Sequence, residues 1–251
     1  MTILVWHDDV RRPAWQQMAI DRTLADIAAA NGHSVYRLYR WERDTVSFGA
    51  NEAARRTWDR ERLERLEVPT VRRPTGGRGV WHDATDLTYA VTAPLARFAD
   101  LRTAYRVIHE QLARALATLG VPATLAAATR RPTLAPGACF DLAIGGEVVV
   151  EGRKTIGSAQ ALFGPAFLQH GAIAAADHAD TLARFRLEEV AIKPDIAAAR
   201  MPPHDQLAGA IVTTWLEAGG TMAPRELTDR AIEESAAHAK RFGDPAWTWR
   251  R

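Results

Sequence analysis

Short runs in which apolar residues dominate or alternate with polar ones predict β-strands, and longer stretches in which they recur every three or four positions predict α-helices. The strand patterns lie at residues 2–6, 34–41, 45–48, 87–92, 147–150 and 153–156, with further strand-like runs at Leu168 and Ile173. The helical patterns lie at residues 13–30, 55–67, 100–119, 181–190, 205–218 and 224–241. Because strands and helices come in blocks, we predict an α+β fold with a mixed, mostly antiparallel β-sheet flanked by α-helices.

Local signals add detail to three of these elements. The run at 2–6 is expected to be an edge strand of the sheet. Asn51 is a candidate cap for the charged helix at 55–67, and Pro224 suits the first position of the last helix. The arginines of the charged helix are best explained as a solvated face, although they would also suit an acidic partner.

The stretch from 147 to 156 predicts a β-hairpin, since Glu151-Gly152 is a suitable tight turn between its two strands. No internal repeat, low-complexity tract or linker is visible along the chain. We therefore expect a single domain that spans residues 1–251.

Composition narrows the class of protein. The chain has 251 residues, 47% of them hydrophobic and 25% charged, which is ordinary for a globular protein. A net charge of +2 does not support nucleic-acid binding. No apolar run has the length of a membrane span or of a signal peptide, and the single cysteine, Cys139, permits no intramolecular disulfide. We therefore expect a cytoplasmic protein.

The segment with the richest chemistry is a glycine-rich loop, Arg72-Arg73-Pro74-Thr75-Gly76-Gly77-Arg78-Gly79-Val80-Trp81-His82-Asp83. Glycines allow close backbone approach, and their amide N–H groups suit a negatively polarised ligand atom. By itself such a loop is more often only a turn. It lacks the Gly-Lys-Ser/Thr ending of a nucleotide-binding P-loop.

The loop does not stand alone. It resembles the signature of the superfamily that contains the lipoate-protein ligases, the octanoyltransferases and the biotin-protein ligases. The segment Gly152-Arg153-Lys154-Thr155-Ile156-Gly157-Ser158-Ala159-Gln160 is similar to a second block of that family, and Leu168-Gln169-His170-Gly171-Ala172-Ile173 is similar to the strand that follows it. The resemblance implies the α+β catalytic domain of that superfamily, here without a separate accessory C-terminal domain.

The resemblance implies one of two reactions. Ligases activate free lipoate with ATP. Transferases instead take an octanoyl group from acyl carrier protein and need no cofactor, and a nucleophilic cysteine distinguishes them from the ligases. Ala138-Cys139-Phe140-Asp141 resembles the cysteine segment of the octanoyltransferases that act on the glycine-cleavage H protein. Residues 142–146 depart from that branch, so the preferred carrier stays open. We expect an octanoyltransferase; the alternatives are an ATP- and magnesium-dependent ligase and a non-catalytic paralogue that only binds carrier domains.

Two residues are the predicted catalytic groups. A Cys139 thiolate is a competent nucleophile towards a thioester, provided that its pKa falls below the usual value of about 8.5. Lys154, one of only three lysines among 32 basic residues, is placed to lower that pKa or to stabilise the tetrahedral oxyanion. A lone cysteine is otherwise most often a buried, inert residue.

Further residues are predicted to bind the substrate. Small residues are expected to line a tunnel for the acyl chain: Gly76, Gly77, Gly157, Ser158 and Ala159. Arg72 and Thr75 belong to the same binding loop. His82 is either a general base or a structural pin of the loop, and we favour the pin; His170 is expected to shape the site.

Other chemistries lack support. The eight histidines are scattered without clustered ligands, so no metal site is predicted. The Gly-x-Ser-x-Gly pattern of serine hydrolases is absent. The expected partners are octanoyl-acyl carrier protein as donor and a lipoyl-domain or H protein as acceptor, with no nucleic acid and no membrane, and we expect a monomer.

Overall fold

The computed structural model describes residues 2–127, 146–174, 176, 178–188 and 201–251. The strands are β1 (Ile3–Arg12), β2 (Ser34–Trp41), β3 (Thr45–Phe48), β4 (Thr70–Arg72), β5 (Val80–His82), β6 (Leu87–Pro94), β7 (Ala123–Leu125), β8 (Val148–Val150), β9 (Arg153–Lys154), β10 (Ile156–Phe163), β11 (Ala166–Ile173) and β12 (Gly220–Met222). The helices are α1 (Ala14–Asn31), α2 (Ala54–Thr57), α3 (Arg60–Arg65), α4 (Leu101–Thr118), α5 (Ala179–Ala183), α6 (His204–Glu217), α7 (Arg225–Glu234), α8 (Ala236–Phe242) and α9 (Pro245–Thr248).

A six-stranded sheet in the order β10-β11-β6-β2-β1-β12 forms the centre of the fold. Strand β1 runs parallel to β2 and β12, and the other neighbours are antiparallel. Two three-stranded sheets, β4-β3-β5 and β7-β8-β9, accompany it. The predicted α+β class with a mixed, mostly antiparallel sheet is therefore confirmed.

The sheet has a helical layer on each face. Helices α4 and α6 cover one face, where Ile108, Leu112 and Trp215 pack against strand residues such as Tyr89. Helix α1 covers the other face, where Met18 packs with Tyr39, Trp41 and Leu168. Among the described residues, no helix is both long enough and apolar enough to cross a membrane.

Strand β1 is not the predicted edge strand. It lies between β2 and β12, because Ile3, Leu4 and Val5 pair with Gly220, Thr221 and Met222. A Cβ on Gly220 would lie 2.6 Å from the carbonyl oxygen of Trp215, so only glycine lets β12 approach here. A partner so distant in sequence leaves no local signal.

The predicted helix at 55–67 is two short helices. Trp58 has extended backbone and buries its indole against Phe48, which ends α2. Asp59, and not Asn51, caps α3 by accepting a hydrogen bond of 2.9 Å from the amide of Arg62.

The C-terminal helix at 224–241 is also divided, into α7 and α8 at Ser235. Pro224 is the cap residue that precedes the first helical residue, Arg225, one position from the predicted site. In place of the helix expected at 181–190 the structure has the short helix α5 at residues 179–183. Residues 184–188 are not helical, and residues 189–190 lie outside the described part of the chain.

Candidate active site

The glycine-rich loop connects β4 to β5 and is held from within by Arg73. The guanidinium of Arg73 donates to the carbonyl oxygens of Ser47 at 2.8 Å, Gly76 at 3.2 Å and Arg78 at 2.8 Å. The loop packs so closely on the end of β3 that a Cβ on Gly49 would lie 1.9 Å from the Gly77 carbonyl oxygen. The shape of the loop therefore depends on a glycine outside the motif.

The other arginine of the motif, Arg72, bonds to backbone outside the loop. Its buried guanidinium donates to the carbonyl oxygens of Gly49 at 2.7 Å, Glu52 at 2.9 Å and Thr248 at 2.9 Å. Burial, followed by the charge of Arg250, lowers its pKa. In this structure Arg72 ties the loop to α9.

A cavity of about 30 Å³ lies between α1, the large sheet and β5. Five residues predicted to bind substrate line it: His82, Gly157, Ser158, Ala159 and His170. Its other lining residues are Met18, Tyr39, Trp41, Arg73, Val80, Thr88, Gly171 and Ala172. Arg72, Thr75, Gly76 and Gly77, also predicted to bind substrate, are not among the lining residues.

A larger groove of about 210 Å³ lies elsewhere, between the start of α1 and the α8–α9 region. None of the predicted site residues that the structure describes lines it. We assign the candidate active site to the smaller cavity, because that is where the motif residues converge.

His82 forms one wall of this cavity. Its ring is 4% exposed and stacks on Trp41, with ring centroids 4.3 Å apart. Its Nε2 atom lies 2.6 Å from the Ser47 hydroxyl, and its buried Nδ1 atom has no hydrogen-bond partner among the described residues. Burial, followed by the charge of Arg73, lowers the pKa of His82 well below 6.5. Such a weakly basic histidine is poorly suited to act as a general base at neutral pH.

Thr75 and His170 meet below the cavity. The Thr75 hydroxyl lies 2.6 Å from Nε2 of His170, and Nδ1 of His170 lies 3.1 Å from a carboxylate oxygen of Asp21. Asp21 is in turn paired with the buried Arg37 at 2.7 Å. Asp21 and Thr75 thus hold the His170 ring at both of its nitrogens. Thr75 is wholly buried, so these hydrogen bonds fix the loop and the Thr75 hydroxyl is not presented as a nucleophile.

Arg37 anchors this buried network. Burial alone disfavours its charge, but the carboxylates of Asp8 and Asp21 outweigh burial and raise the pKa of Arg37 above its ordinary value. Burial followed by Asp21 raises the pKa of Tyr39 well above 10.0, so the phenol stays protonated and donates to Asp21 at 2.9 Å.

Ser158 begins a second buried network, on the opposite face of the sheet. Its hydroxyl lies 2.7 Å from the Tyr89 hydroxyl and 2.8 Å from Nε2 of His109, and Nδ1 of His109 lies 2.6 Å from the Gly146 carbonyl oxygen. Burial is the main cause that lowers the pKa of His109 to about 4. Gly171 leaves room for the contact, because a Cβ there would lie 2.4 Å from the Ser158 oxygen.

Lys154 lies on the predicted hairpin, which the structure confirms as β8 and β9. Glu151 and Gly152 form its turn with φ of 52° and 77°. The Lys154 ammonium pairs with Glu147 at 2.6 Å, and both side chains are buried. Its positive charge also acts on His109. The structure thus places Lys154 next to the network of Ser158.

The sequence missed several members of the site, and each had only a weak signal. His109 sits in the apolar stripe of α4, where an isolated titratable residue was the one hint. Glu147 and Tyr89 were indistinguishable from ordinary strand residues.

Cys139 lies outside the described residues, so its predicted contact with Lys154 stays a prediction. No group of three or more histidine, cysteine or carboxylate side chains in the described ranges is arranged to hold a metal ion.

Comparison with known proteins places this geometry in a family. Residues 13–193 match the model of the lipoyl protein ligase A/B catalytic domain. Octanoyltransferase LipM of Exiguobacterium sp. is 32% identical over 280 aligned positions that cover 100% of both chains. Octanoyltransferase LipM of Kyrpidia tusciae is 33% identical and is matched over 94% of its length by 93% of this chain.

Solved structures with the same fold are more distant in sequence. A putative lipoate protein ligase of T. acidophilum with bound lipoic acid has a TM-score of 0.74 at 20% identity, covering 99% of this chain and 100% of that one. A lipoate-protein ligase A bound with ATP has a TM-score of 0.75 at 20% identity, covering 99% of each chain. These likenesses concern the fold alone. The sequence matches go further, and the chain belongs to the lipoyl protein ligase A/B catalytic domain family, in the group that contains the octanoyltransferases LipM.

Proposed function

We propose that this octanoyltransferase carries its acyl group on Cys139 between a thioester donor and a lysine of a lipoyl-domain or H protein. The Cys139 thiolate attacks the octanoyl thioester of acyl carrier protein, forming an enzyme thioester and releasing the carrier thiolate. The acceptor lysine amine then attacks, an amide forms, and Cys139 leaves as thiolate while the amine loses its proton. One thioester is exchanged for another before the stable amide forms, so the reaction needs no ATP.

The observation that carries this proposal is the full-length match to octanoyltransferases together with a lone cysteine just ahead of the motif lysine. Lys154 supports it, because its ammonium is buried beside the Ser158 network, where a charge acts more strongly than in water. In this scheme the positive charge of Lys154 stabilises the thiolate of Cys139.

The cavity supports an acyl ligand. Gly157, Ala159 and Ala172 are small residues on its wall. Burial of the seven carbons beyond the carbonyl of an octanoyl group contributes up to about 5 kcal/mol, at ~0.8 kcal/mol per methylene. A volume of about 30 Å³ is too small for an eight-carbon acyl group, so the lining has to move apart for the acyl chain to enter.

An arginine-rich surface supports acidic protein partners. We define the arginine patch as Arg55, Arg241, Arg250 and Arg251, all exposed. The guanidiniums of Arg241 and Arg250 both stack on the indole of Trp247, at 3.8 and 3.9 Å from the ring centroid. In the part of the chain that the structure describes, these four arginines make no ion pair with a carboxylate.

Intact mass spectrometry tests the function directly. The protein is mixed with octanoyl-acyl carrier protein without ATP and then treated with neutral hydroxylamine. The expected result is a gain of one octanoyl group that hydroxylamine removes and that Cys139→Ala prevents. If the folded protein gains no adduct, and instead forms an adenylate with lipoate and ATP, the thioester mechanism is wrong and the chain is a ligase.

A further inference from the structure

His82 has one ring nitrogen that is paired and one that is not. Nε2 lies 2.6 Å from the Ser47 hydroxyl, whereas Nδ1 is buried and has no hydrogen-bond partner among the described residues. Buried polar atoms in proteins are almost always paired, so an unpaired one on a cavity wall needs an explanation. The ring is held firmly, because it is 4% exposed and stacked on Trp41.

The neighbouring hydrogen bonds assign the proton of this ring. The guanidinium of Arg73 can only donate, and it donates to the Ser47 hydroxyl oxygen at 2.5 Å. If Ser47 then donates to Nε2, the ring proton is on Nδ1 and a single donor is left unpaired. If Nε2 donated instead, both the Ser47 proton and the Nδ1 lone pair would be left unpaired. The first arrangement is favoured, and it makes His82 a neutral donor at Nδ1.

The position of His82 on the cavity wall indicates which acceptor its Nδ1–H group can bind. His82 is a lining residue, so a molecule bound in the cavity can supply the missing acceptor. The hydrocarbon tail of an octanoyl group has no acceptor atom, and its carbonyl oxygen is the group's one acceptor. A donor on that oxygen stabilises the negative charge that develops when the thioester is attacked.

We propose that the Nδ1–H of His82 donates a hydrogen bond to the carbonyl oxygen of the acyl group, and that Ser47 and Arg73 are positioning residues that hold the ring in this tautomer. The inference rests on the proposed function for the identity of the acyl group. It assigns His82 an electrophilic role, distinct from the general base and from the structural pin.

Substitutions that move the donor test the role. In His82→Asn the side-chain amide replaces Nδ1 with an N–H at nearly the same place, whereas in His82→Gln the amide lies nearer to Nε2. We expect His82→Gln and His82→Phe to lower kcat by about 100-fold with little change in KM, and His82→Asn to retain activity within about tenfold of the wild type. Equal losses in Asn and Gln variants with unchanged melting temperatures would overturn the proposal.

Infrared spectroscopy of a carbonyl-labelled octanoyl enzyme provides a readout that a structural role would not move. The carbonyl band of the wild type and of His82→Asn is expected at lower frequency than that of His82→Gln. Identical bands in all three proteins count against the hydrogen bond.

Nitrogen NMR of labelled histidine tests the tautomer without any acyl-enzyme chemistry. In the unliganded protein we expect the His82 proton on Nδ1, and we expect Ser47→Ala, but not Ser47→Thr, to introduce the other tautomer. Adding octanoyl-pantetheine to Cys139→Ala should shift the Nδ1–H signal. A proton on Nε2, or an unmoved signal when calorimetry shows binding, refutes the inference. A shifted signal in a protein whose cysteine never acquires the acyl group refutes the thioester mechanism alone.

Discussion

The ammonium of Lys154 is the side-chain charge that bears most directly on the proposed chemistry. It is buried and paired with Glu147 at 2.6 Å. Removing one partner of a buried ion pair leaves the other charge uncompensated, at a cost of about 3–5 kcal/mol in the free energy of unfolding. Loss of activity in a variant that changes Lys154 alone could therefore come either from lost catalysis or from lost stability.

A double variant separates the two effects. Lys154→Met is expected to abolish octanoyl transfer and to lower stability, whereas Glu147→Gln combined with Lys154→Met should recover much of the stability and none of the activity. Lys240→Met, which changes an exposed lysine of α8, is the matched control and should leave both unchanged. Urea unfolding and the mass assay measure the two quantities. Recovery of transfer in the double variant would contradict a catalytic role.

His109 makes stability depend on pH. Its pKa is about 4 in the folded protein, against an ordinary value of 6.5. A histidine with a depressed folded pKa stabilises the fold above pH 6.5, and this contribution is lost as pH falls from 6.5 towards 4, since the unfolded chain then binds the proton more readily. From pH 7 to pH 5 we expect a loss of about 2 kcal/mol in the free energy of unfolding from this residue.

Urea unfolding at the two pH values checks this expectation. His109→Gln, which keeps polar atoms near the Ser158 hydroxyl, should lose less stability on acidification than the wild type. His82 also has a lowered pKa, so part of the pH dependence should persist in the variant. An unchanged pH dependence in His109→Gln would show that the imidazole is not buried as a neutral ring.

Residue identities at the motif could be predicted from the sequence, but their orientations could not. The pattern Arg72-Arg73 does not say which guanidinium faces the cavity; the carbonyls of α9 and β3 decide it. The sequence likewise left two roles open for His82, because they depend on Ser47, a residue with no motif of its own. Hydrogen-bond partners far apart in sequence set these outcomes.

Elements with a strong local period were the most predictable parts of the fold. The apolar stripe of α4 and the alternation of β2 and β6 are carried by the residues themselves, and the structure confirms them. The single helix expected at 55–67 was wrong, because burial of Trp58 in an aromatic cluster outweighs the helical propensity of its arginine-rich neighbours. Tertiary packing determined the secondary structure where the local preference was weak.

The crossing of β3 and the glycine-rich loop gives a test at this level. A Cβ on Gly49 would lie 1.9 Å from the Gly77 carbonyl oxygen, while a Cβ on Gly76 would meet nothing within 4 Å. We expect Gly49→Ala to lower the free energy of unfolding by about 2–3 kcal/mol, since backbone has to move. Gly76→Ala should change it by less than about 1 kcal/mol. Thermal unfolding of both variants is the measurement, and equal stabilities would mean that the loop yields at little cost.

The molecule as a whole carries a net charge of only +2, so the arginine patch is a local feature. If acidic carriers dock there, association should weaken as salt screens the charges. We expect Arg241→Gln with Arg250→Gln to raise KM for octanoyl-acyl carrier protein by about five- to tenfold at low ionic strength, with kcat unchanged.

Two controls sharpen that comparison. Octanoyl-pantetheine, which has no acidic surface, should be used equally well by the variant and the wild type. Arg225→Gln changes an exposed arginine on α7 that pairs with Asp229, and it should leave KM for both donors unaltered. If the patch variant keeps its KM for the carrier, docking occurs elsewhere on the surface.

The anchoring of Arg72 to α9 has a consequence for protein synthesis. Its guanidinium donates to the Thr248 carbonyl oxygen, 176 positions further along the chain. All three motif blocks leave the ribosome before that carbonyl exists, and contacts between distant residues close late in folding. We therefore expect the glycine-rich loop to take its final shape only after α9 has been synthesised, so a nascent chain that stops short of Thr248 should lack a properly formed loop.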